Sequence, residues 1–159
     1  MITSDGTTRQ SFTTTLSPIV PGPPELRNLA DDGRDQLVIP NGGGTGGPGF
    51  DIYRATDAAP DFVYTGSLQG IANVPIAIQR TADGYVSAMS KSGPSKHYRQ
   101  FYHFVGSRLE LVAHVLITIG GNPECGVDDE GERGDSGLSD AEVVQRFCAE
   151  QTYPAIPVQ

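Results

Sequence analysis

The chain has 159 residues, with 20 glycines and 12 prolines, and hydrophobic residues make up 37% of it. This composition is typical of short strands joined by turns, and it disfavours a helical bundle. The formal charge of -8 and the isoelectric point near 4.7 disfavour nucleic acid as a partner, because an acidic chain repels phosphate, and they favour a basic protein. No apolar run approaches the roughly 20 residues of a membrane-spanning helix, so no transmembrane segment is expected.

Residues 1–24 are expected to form an extended or flexible N-terminal arm, and residues 25–159 a single β domain. The arm contains one candidate strand over residues 11–16. Its proline-rich stretch over residues 17–24 resembles the tether that follows a removed signal or lipid anchor. The first residues carry neither the basic nor the apolar segment of a signal peptide. Three explanations stay open: a cytosolic protein, a longer native precursor with a signal or lipid anchor, and a plain disordered tail.

Short apolar or alternating runs separated by turn residues predict the strands of the domain. The glycine-rich residues 41–49 are expected to be a flexible loop, and residues 90–98 a polar connection. In the last predicted strand, residues 109–117, every second residue is apolar, so we expect one face of this strand to be wholly apolar. The predicted strands cover residues 36–40, 50–54, 62–66, 75–79, 85–89, 98–105 and 109–117.

The C-terminal region is predicted to contain the one helix, over residues 140–150. Ser139 and Glu142 have the spacing of a capping box, in which each side chain bonds the other residue's backbone N–H. Val143, Val144, Phe147 and Cys148 then share one face at helical spacing. The helix is therefore expected to be short and amphipathic.

The two cysteines, Cys125 and Cys148, are either buried thiols of a cytosolic protein or one disulfide formed in an oxidising compartment. We expect the disulfide, because Cys125 lies in a Gly- and acid-rich segment with little core of its own. A bridge closing about two dozen residues contributes ~3 kcal/mol of stability. The expected location is therefore periplasmic or secreted.

A weak internal repeat relates two parts of the chain. Asp32-Gly33 and Asp83-Gly84 lie 51 positions apart, and each pair is followed by a short apolar strand, a loop and an aromatic strand. Two such units are too few to close a propeller ring. The expected fold is therefore all-β, a mainly antiparallel meander of irregular propeller-like or barrel-like form, with one short C-terminal helix.

Residues 28–39 (NLADDGRDQLVI) resemble the start of an FG-GAP-type β-propeller repeat, and the resemblance extends over about residues 26–117. In that family the acidic positions of the loop hold calcium. The resemblance implies Asn28 and Asp32 as Ca²⁺ ligands, although Ala30 and Gln36 stand where further ligands belong. The second copy keeps its Asp-Gly pair but lacks the other ligands.

The strongest charge cluster lies at residues 128–135 (DDEGERGD), where Asp128, Asp129 and Asp135 are the candidate metal ligands. Carboxylate oxygens close in sequence are typical of calcium sites. Two alternatives stay open, a solvated acidic loop and an acidic patch that steers a basic enzyme. No other cofactor is expected.

A second resemblance concerns function. An acidic secreted body with propeller-like strands, a protruding polar loop and a late disulfide beside a helix is similar to periplasmic immunity proteins and lysozyme inhibitors. Some of these proteins use a Ser-Gly pair followed by Tyr, and here Ser92-Gly93 precedes Tyr98 at a longer spacing. The resemblance implies binding to a basic peptidoglycan hydrolase, through a loop that Pro94 stiffens. The candidate partner-binding residues are Ser90, Lys91, Ser92, Gly93, Ser95, Lys96, His97 and Tyr98. The alternative is that residues 90–98 are an ordinary solvent-exposed connection between two strands.

Catalysis has little support in the sequence. The histidines, His97, His103 and His114, are not paired with Ser, Cys or carboxylate in a hydrolase motif, and residues 42–49 lack the ending of a P-loop. We therefore expect a binding protein and no enzyme. The alternative function is a structural or adhesive module, such as a surface or virion decoration protein, that uses the arm for assembly.

Overall fold

The computed structural model describes residues 10–12, 22–44, 47–56, 61–71, 77–118, 124–128, 131 and 133–148. Within these residues, nine strands form two antiparallel sheets, and one short helix follows them near the C-terminus. This confirms the predicted all-β fold, with open sheets in place of a closed barrel. None of the described helices has the length and apolar character needed to cross a membrane.

Both sheets are simple meanders in which each strand pairs with the next. The first sheet contains β1 (Glu25–Arg27), β2 (Gln36–Gly44), β3 (Gly47–Arg54) and β4 (Val63–Gln69). The second contains β5 (Ile78–Arg80), β6 (Val86–Lys91), β7 (Lys96–Val105), β8 (Arg108–Thr118) and β9 (Glu124–Val127). The order β1–β4 recurs as β5–β8, which gives the weak sequence repeat a structural counterpart.

Each of the seven predicted domain strands overlaps an observed one. β1 and β9 were not predicted, because three- and four-residue strands are too short to show an alternating pattern. In the candidate strand over residues 11–16, residues 11 and 12 are not in a strand, and the remainder lies outside the described residues.

The prediction of a flexible loop at residues 41–49 was wrong. β2 continues to Gly44 and β3 begins at Gly47, with Gly42 paired to Gly49 and Gly44 to Gly47, and residues 45 and 46 lie outside the described residues. The glycines allow a close backbone approach: a Cβ atom at Gly47 would lie 1.8 Å from the carbonyl oxygen of Gly70. The hairpin therefore packs against its neighbour where side-chain-bearing residues would clash.

The second sheet is apolar on both faces. One face packs against the first sheet, where Val86 and Ala88 of β6 join Val38, Ile52 and Leu68 in one buried cluster. The opposite face packs against the C-terminal helix, in a second buried cluster of Met89, Phe101, Val112, Ala113, Val115, Ile117, Val143 and Phe147. The domain therefore has three layers: sheet, sheet and helix.

A β-bulge divides the apolar residues of β8 between these two clusters. Phe101 pairs with Ala113 but Tyr102 pairs with Leu111, so Val112 is the extra residue. The prediction of a single apolar face on this strand was therefore wrong, because the bulge reverses the alternation. Val112, Ala113, Val115 and Ile117 lie on the helix side, and Leu109 packs against the cluster between the sheets.

Arginines connect the two sheets at their margins. Arg54 of β3 donates from Nη1 to the Gly106 carbonyl oxygen at 2.8 Å, and its guanidinium carbon lies 4.4 Å from the centroid of the Phe104 ring. Arg27 of β1 donates to the carbonyl oxygen of Ile78 in β5. These arginine contacts fix the position of the first sheet on the second, in addition to the apolar packing between the two sheets.

The predicted capping box is present at the start of the helix. The Ser139 hydroxyl accepts from the Glu142 N–H at 3.4 Å, and the Glu142 carboxylate accepts from the Ser139 N–H at 2.9 Å. The helix α1 (Asp140–Val143) continues as a π-helical turn (Val144–Cys148). Residues 149 and 150 of the predicted helix lie outside the described residues.

Cys125 and Cys148 form the predicted disulfide, with their Cα atoms 5.7 Å apart. The bond joins β9 at the edge of the second sheet to the last residue of the π-helical turn. Both cysteines also pack against the apolar cluster beneath the helix. The helical layer is therefore anchored covalently as well as by burial.

Removing the disulfide is expected to destabilise the protein. The Cys125→Ser, Cys148→Ser variant should lose ~3 kcal/mol of unfolding free energy, since the bond closes a segment of 23 residues. Urea denaturation measures the loss. The control Gln145→Ala, on the exposed side of the same turn, should stay within about 0.5 kcal/mol of the unmodified protein. Two freely alkylated thiols in the native, unreduced protein would contradict the bond.

Candidate functional site

The predicted binding loop is a tight hairpin rather than a long connection. β6 ends at Lys91 and β7 begins at Lys96, so that only residues 92–95 lie between the strands. The N–H groups of Ser92 and Gly93 both donate to the carbonyl oxygen of Lys96, at 2.9 and 3.2 Å. We call residues 91–96 the hairpin tip. Its backbone is held by these bonds, so its exposed residues are presented in one arrangement.

The hairpin separates the predicted partner-binding residues into two groups. Ser90 and His97 are 5% and 4% exposed, so they offer little surface to a partner, and their predicted binding role stays a prediction. Tyr98 is half-buried, and its ring centroid lies 4.9 Å from that of His114, so it is not an exposed anchor. These residues are buried or half-buried because residue 90 belongs to β6 and residues 97–98 belong to β7, inside the paired part of the sheet. Exposed positions are Lys91, Ser92, Pro94, Ser95 and Lys96, and Gly93 is half-buried.

Lysines supply the positive charge of the hairpin tip. Lys91 and Lys96 are the only two lysines in the chain, and both are exposed at its base. Burial lowers the pKa of His97, and the charge of Lys91 lowers it further. The imidazole therefore favours its neutral form, and the tip's charge does not depend on it.

The first proposed calcium loop is occupied by arginines. Arg80 donates from Nη1 to the side-chain oxygens of Asn28 at 3.1 Å and Asp31 at 2.5 Å. Arg54 pairs with Asp32 at 2.8 Å. Burial opposes ionisation of Asp32, but the hydrogen bonds from Arg54 and from the Arg34 N–H outweigh it and lower the pKa of Asp32. These oxygens therefore balance arginine charge.

Of the acidic cluster over residues 128–135, the structure describes the acidic residues Asp128 and Asp135, which differ in exposure. Asp128 is buried, and its Oδ2 atom lies 3.7 Å from Nδ1 of His114. Asp135 is exposed, and Asp129 lies outside the described residues. Among the residues that the structure describes, no three His, Cys, Asp or Glu side chains are grouped to hold a metal ion. Calcium binding stays a prediction without an assembled ligand set.

A polar and aromatic cluster, which the sequence analysis missed, lies on the face of the first sheet that points away from the second. Asp51 Oδ1 accepts from Asn41 Nδ2 at 2.6 Å and from Ser67 Oγ at 2.5 Å. The hydroxyls of Ser67 and Tyr64 are 2.9 Å apart, and the rings of Tyr64 and Tyr53 meet edge to face with centroids 5.6 Å apart. We call these five residues the outer-face cluster.

A bulge in β2 places Asn41 in this cluster. Pro40 pairs with Phe50 and Gly42 with Gly49, which leaves Asn41 as the extra residue. A Cβ atom at Gly49 would lie 2.2 Å from Asn41 Oδ1, so a side chain at that position would make the Asn41 amide shift. The glycines of this hairpin thus shape the cluster.

A second bulge, in β4, places the other members. Ile52 pairs with Gly66 but Tyr53 pairs with Tyr64, so Thr65 is the extra residue. Its hydroxyl is buried and donates to the Ile52 carbonyl oxygen at 2.8 Å. The bulge resets the alternation, and Tyr64 consequently shares a face with residue 67. Bulges commonly re-aim side chains at functional sites.

The described part of the N-terminal arm also contacts the first sheet. The Gln10 side chain makes two bonds to the backbone of Phe62, donating to its oxygen at 2.7 Å and accepting from its N–H at 2.8 Å. The ring of Phe12 meets that of Tyr53 edge to face, with centroids 5.0 Å apart. Residues 10–12 therefore lie against their own domain.

Comparison of the chain with protein-family models, with curated proteins and with solved structures finds no match. The fold and the disulfide define the chain as an all-β protein of two antiparallel sheets with a covalently anchored C-terminal helix. Both sequence resemblances stay predictions.

Acidification is expected to destabilise the protein through His97. An unfolded imidazole titrates near pH 6.5, whereas burial lowers the pKa of His97 in the folded state. Below about pH 6.5 the unfolded state binds a proton that the folded state refuses, so stability falls as the pH falls from about 7 to about 5. His97→Gln should flatten this slope in urea denaturation. The exposed Gln145→Ala, which removes no titratable group, should leave the slope unchanged, and an equal slope in His97→Gln and Gln145→Ala would contradict the assignment.

Proposed function

We propose that the protein is a secreted or periplasmic binding module that inhibits a basic peptidoglycan hydrolase through its hairpin tip. The observation that carries this proposal is the position of Lys91 and Lys96, the chain's two lysines, on a tip closed by two backbone hydrogen bonds. The remainder of the chain is strongly acidic. The tip is therefore a local positive site on a negative body.

The rigidity of the tip favours binding. Ordering a loop on association costs free energy, and a preformed loop reduces that cost. Here the Ser92 and Gly93 N–H groups fix the turn, and the pairing of Lys91 with His97 continues the ladder to its base. The exposed end of the tip carries the hydroxyls of Ser92 and Ser95 on either side of Pro94, an arrangement suited to a polar cleft.

The charge of the tip suits the active sites of these hydrolases. Glycoside hydrolases cleave with a pair of carboxyl groups that flank the scissile bond. The ammonium groups of Lys91 and Lys96 would pair with such carboxylates, and the serine hydroxyls would donate to them. The acidic body would accelerate encounter with a cationic enzyme, an effect that weakens with salt.

The disulfide supports an extracytoplasmic location. Disulfides persist in oxidising compartments and are rare in the cytosol. The bond between Cys125 and Cys148 is compatible with the periplasm or the extracellular space, where peptidoglycan hydrolases act.

A structural or adhesive module is the second candidate, and the contacts of the arm favour it. Gln10 and Phe12 bind surfaces of the first sheet that a neighbouring copy's arm could occupy equally well. Exchange of arms would then join copies of the chain. Light scattering after size-exclusion chromatography should show oligomers that Gln10→Ala, Phe12→Ala dissociates. A monomer at all concentrations would reject this candidate.

The Lys91→Ala, Lys96→Ala variant tests the inhibitor proposal. Inhibition of a panel of cationic lysozymes and lytic transglycosylases should weaken at least about tenfold, because buried charge pairs would be lost. The control Arg108→Ala, Arg133→Ala removes the same charge from exposed positions away from the tip. Because it makes the acidic body more negative, it should raise the association rate with a cationic enzyme at low salt and leave inhibition otherwise unchanged.

Two results would reject the proposal. One is unchanged inhibition by the Lys91→Ala, Lys96→Ala variant. The other is the absence of inhibition of every enzyme in the panel by the unmodified protein. Thermal unfolding of each variant shows that the fold is retained, since both tip lysines are exposed.

A further inference from the structure

We infer that the outer-face cluster is a binding site for a neutral oligosaccharide. The site lies on the first sheet, whereas the hairpin tip belongs to the second, so this inference does not rest on the proposed function. Three features carry it: an oriented set of hydrogen-bonding groups, an exposed tyrosine ring beside them, and a local charge that selects against anionic sugars.

The hydrogen-bonding groups are oriented before any ligand arrives. Asp51 is held by Asn41 and Ser67, and Ser67 is held in turn by Tyr64. Side chains fixed in this way lose little further freedom on binding. The carboxylate, amide and hydroxyl groups together offer both donors and acceptors, which is what a row of sugar hydroxyls requires.

The cluster retains unused bonding capacity. In the described part of the chain, no hydrogen bond engages Oδ2 of Asp51 or the hydroxyl of Tyr53. Burial raises the pKa of Tyr53, and the charge of Asp51 raises it further, so its hydroxyl stays a neutral donor. A carboxylate that accepts from hydroxyl groups makes charge-assisted bonds, which are stronger than neutral ones.

The aromatic part of the cluster supplies the apolar contact. Tyr64 is 56% exposed, one of the most exposed large hydrophobic side chains among the described residues. A pyranose ring has an apolar face of C–H groups, which packs on an aromatic ring while its hydroxyls reach polar neighbours. Tyr64 lies beside Asp51 and Ser67, so a sugar on its ring lies within reach of both.

Charge restricts the class of sugar. Asp51 forms no ion pair in the described part of the chain, and the chain carries a formal charge of -8. An anionic polysaccharide would therefore be repelled. A metal ion is disfavoured as the occupant, because Asp51 has no second and third acidic or imidazole ligand beside it among the described residues. A neutral glycan is not repelled by the negative charge, and it needs no further acidic or imidazole ligand beside Asp51.

Two bulges that converge on one carboxylate argue that the cluster is built rather than incidental. The β2 bulge brings Asn41, and the β4 bulge brings Tyr64, to the same carboxylate from opposite sides of β3. Gly49 has no side chain where one would displace Asn41. Stability alone does not require these arrangements, since each bulge interrupts a ladder of backbone hydrogen bonds.

The test is titration calorimetry with chitohexaose, cellohexaose and mannohexaose, and with polygalacturonate as the anionic comparison. At least one neutral hexasaccharide should bind. Asp51→Asn and Tyr64→Ala should each weaken that binding by at least about tenfold. Asp83→Asn removes the same charge from an exposed turn of the second sheet and should have no effect.

The inference is overturned if no neutral hexasaccharide binds at millimolar concentration. It is also overturned if Asp51→Asn and Tyr64→Ala bind as well as Asp83→Asn, or if polygalacturonate binds better than the neutral sugars. Asp51→Asn keeps the acceptor oxygen and residue 64 is exposed, so both variants should fold, as thermal unfolding verifies. The Lys91→Ala, Lys96→Ala variant should keep its sugar affinity, which separates this site from the hairpin tip.

Discussion

Burial of both faces of the second sheet is the constraint on which the rest of the structure depends. A sheet with two apolar faces needs two covers. The first sheet provides one, through Val38, Ile52 and Leu68. The C-terminal helix provides the other, through Val143 and Phe147. A helical segment this short is not stable by itself in water, so the capping box and the bond from Cys125 to Cys148 hold the second cover in place.

In this three-layer arrangement the outer face of the first sheet covers no other sheet, and among the described residues Phe12 of the arm contacts its Tyr53. Residues on that face are not needed to cover the central sheet, and a polar network there costs little stability. The same logic applies to the tip between β6 and β7, which lies beyond the packed part of the sheet. Side chains on the two candidate surfaces are therefore less constrained by core packing than side chains between the layers.

Patterns within one strand were predictable, and departures from them were not. Alternating runs located most strands, and the spacing of Ser139 and Glu142 located the helix start. The paired strands within residues 41–49 were missed because a run of glycines, considered without the strands that pack against it, predicts a flexible loop. The outer-face cluster was missed because it depends on two bulges and on pairs such as Asn41 and Ser67, 26 positions apart. A glycine inside a predicted strand, such as Gly66, is the one local signal of such a bulge.

The two surfaces differ in the ligand chemistry that they offer, and this difference argues for separate roles. The hairpin tip presents ammonium groups on a narrow projection, which suits carboxylates at the bottom of a cleft. The outer-face cluster presents a carboxylate, hydroxyls and a tyrosine ring on an open sheet, which suits an extended uncharged ligand. An enzyme of the cell wall lies close to its polysaccharide. A module that held a glycan with one sheet could therefore raise the local concentration of the other sheet's tip around such an enzyme, without any contact between the two sites.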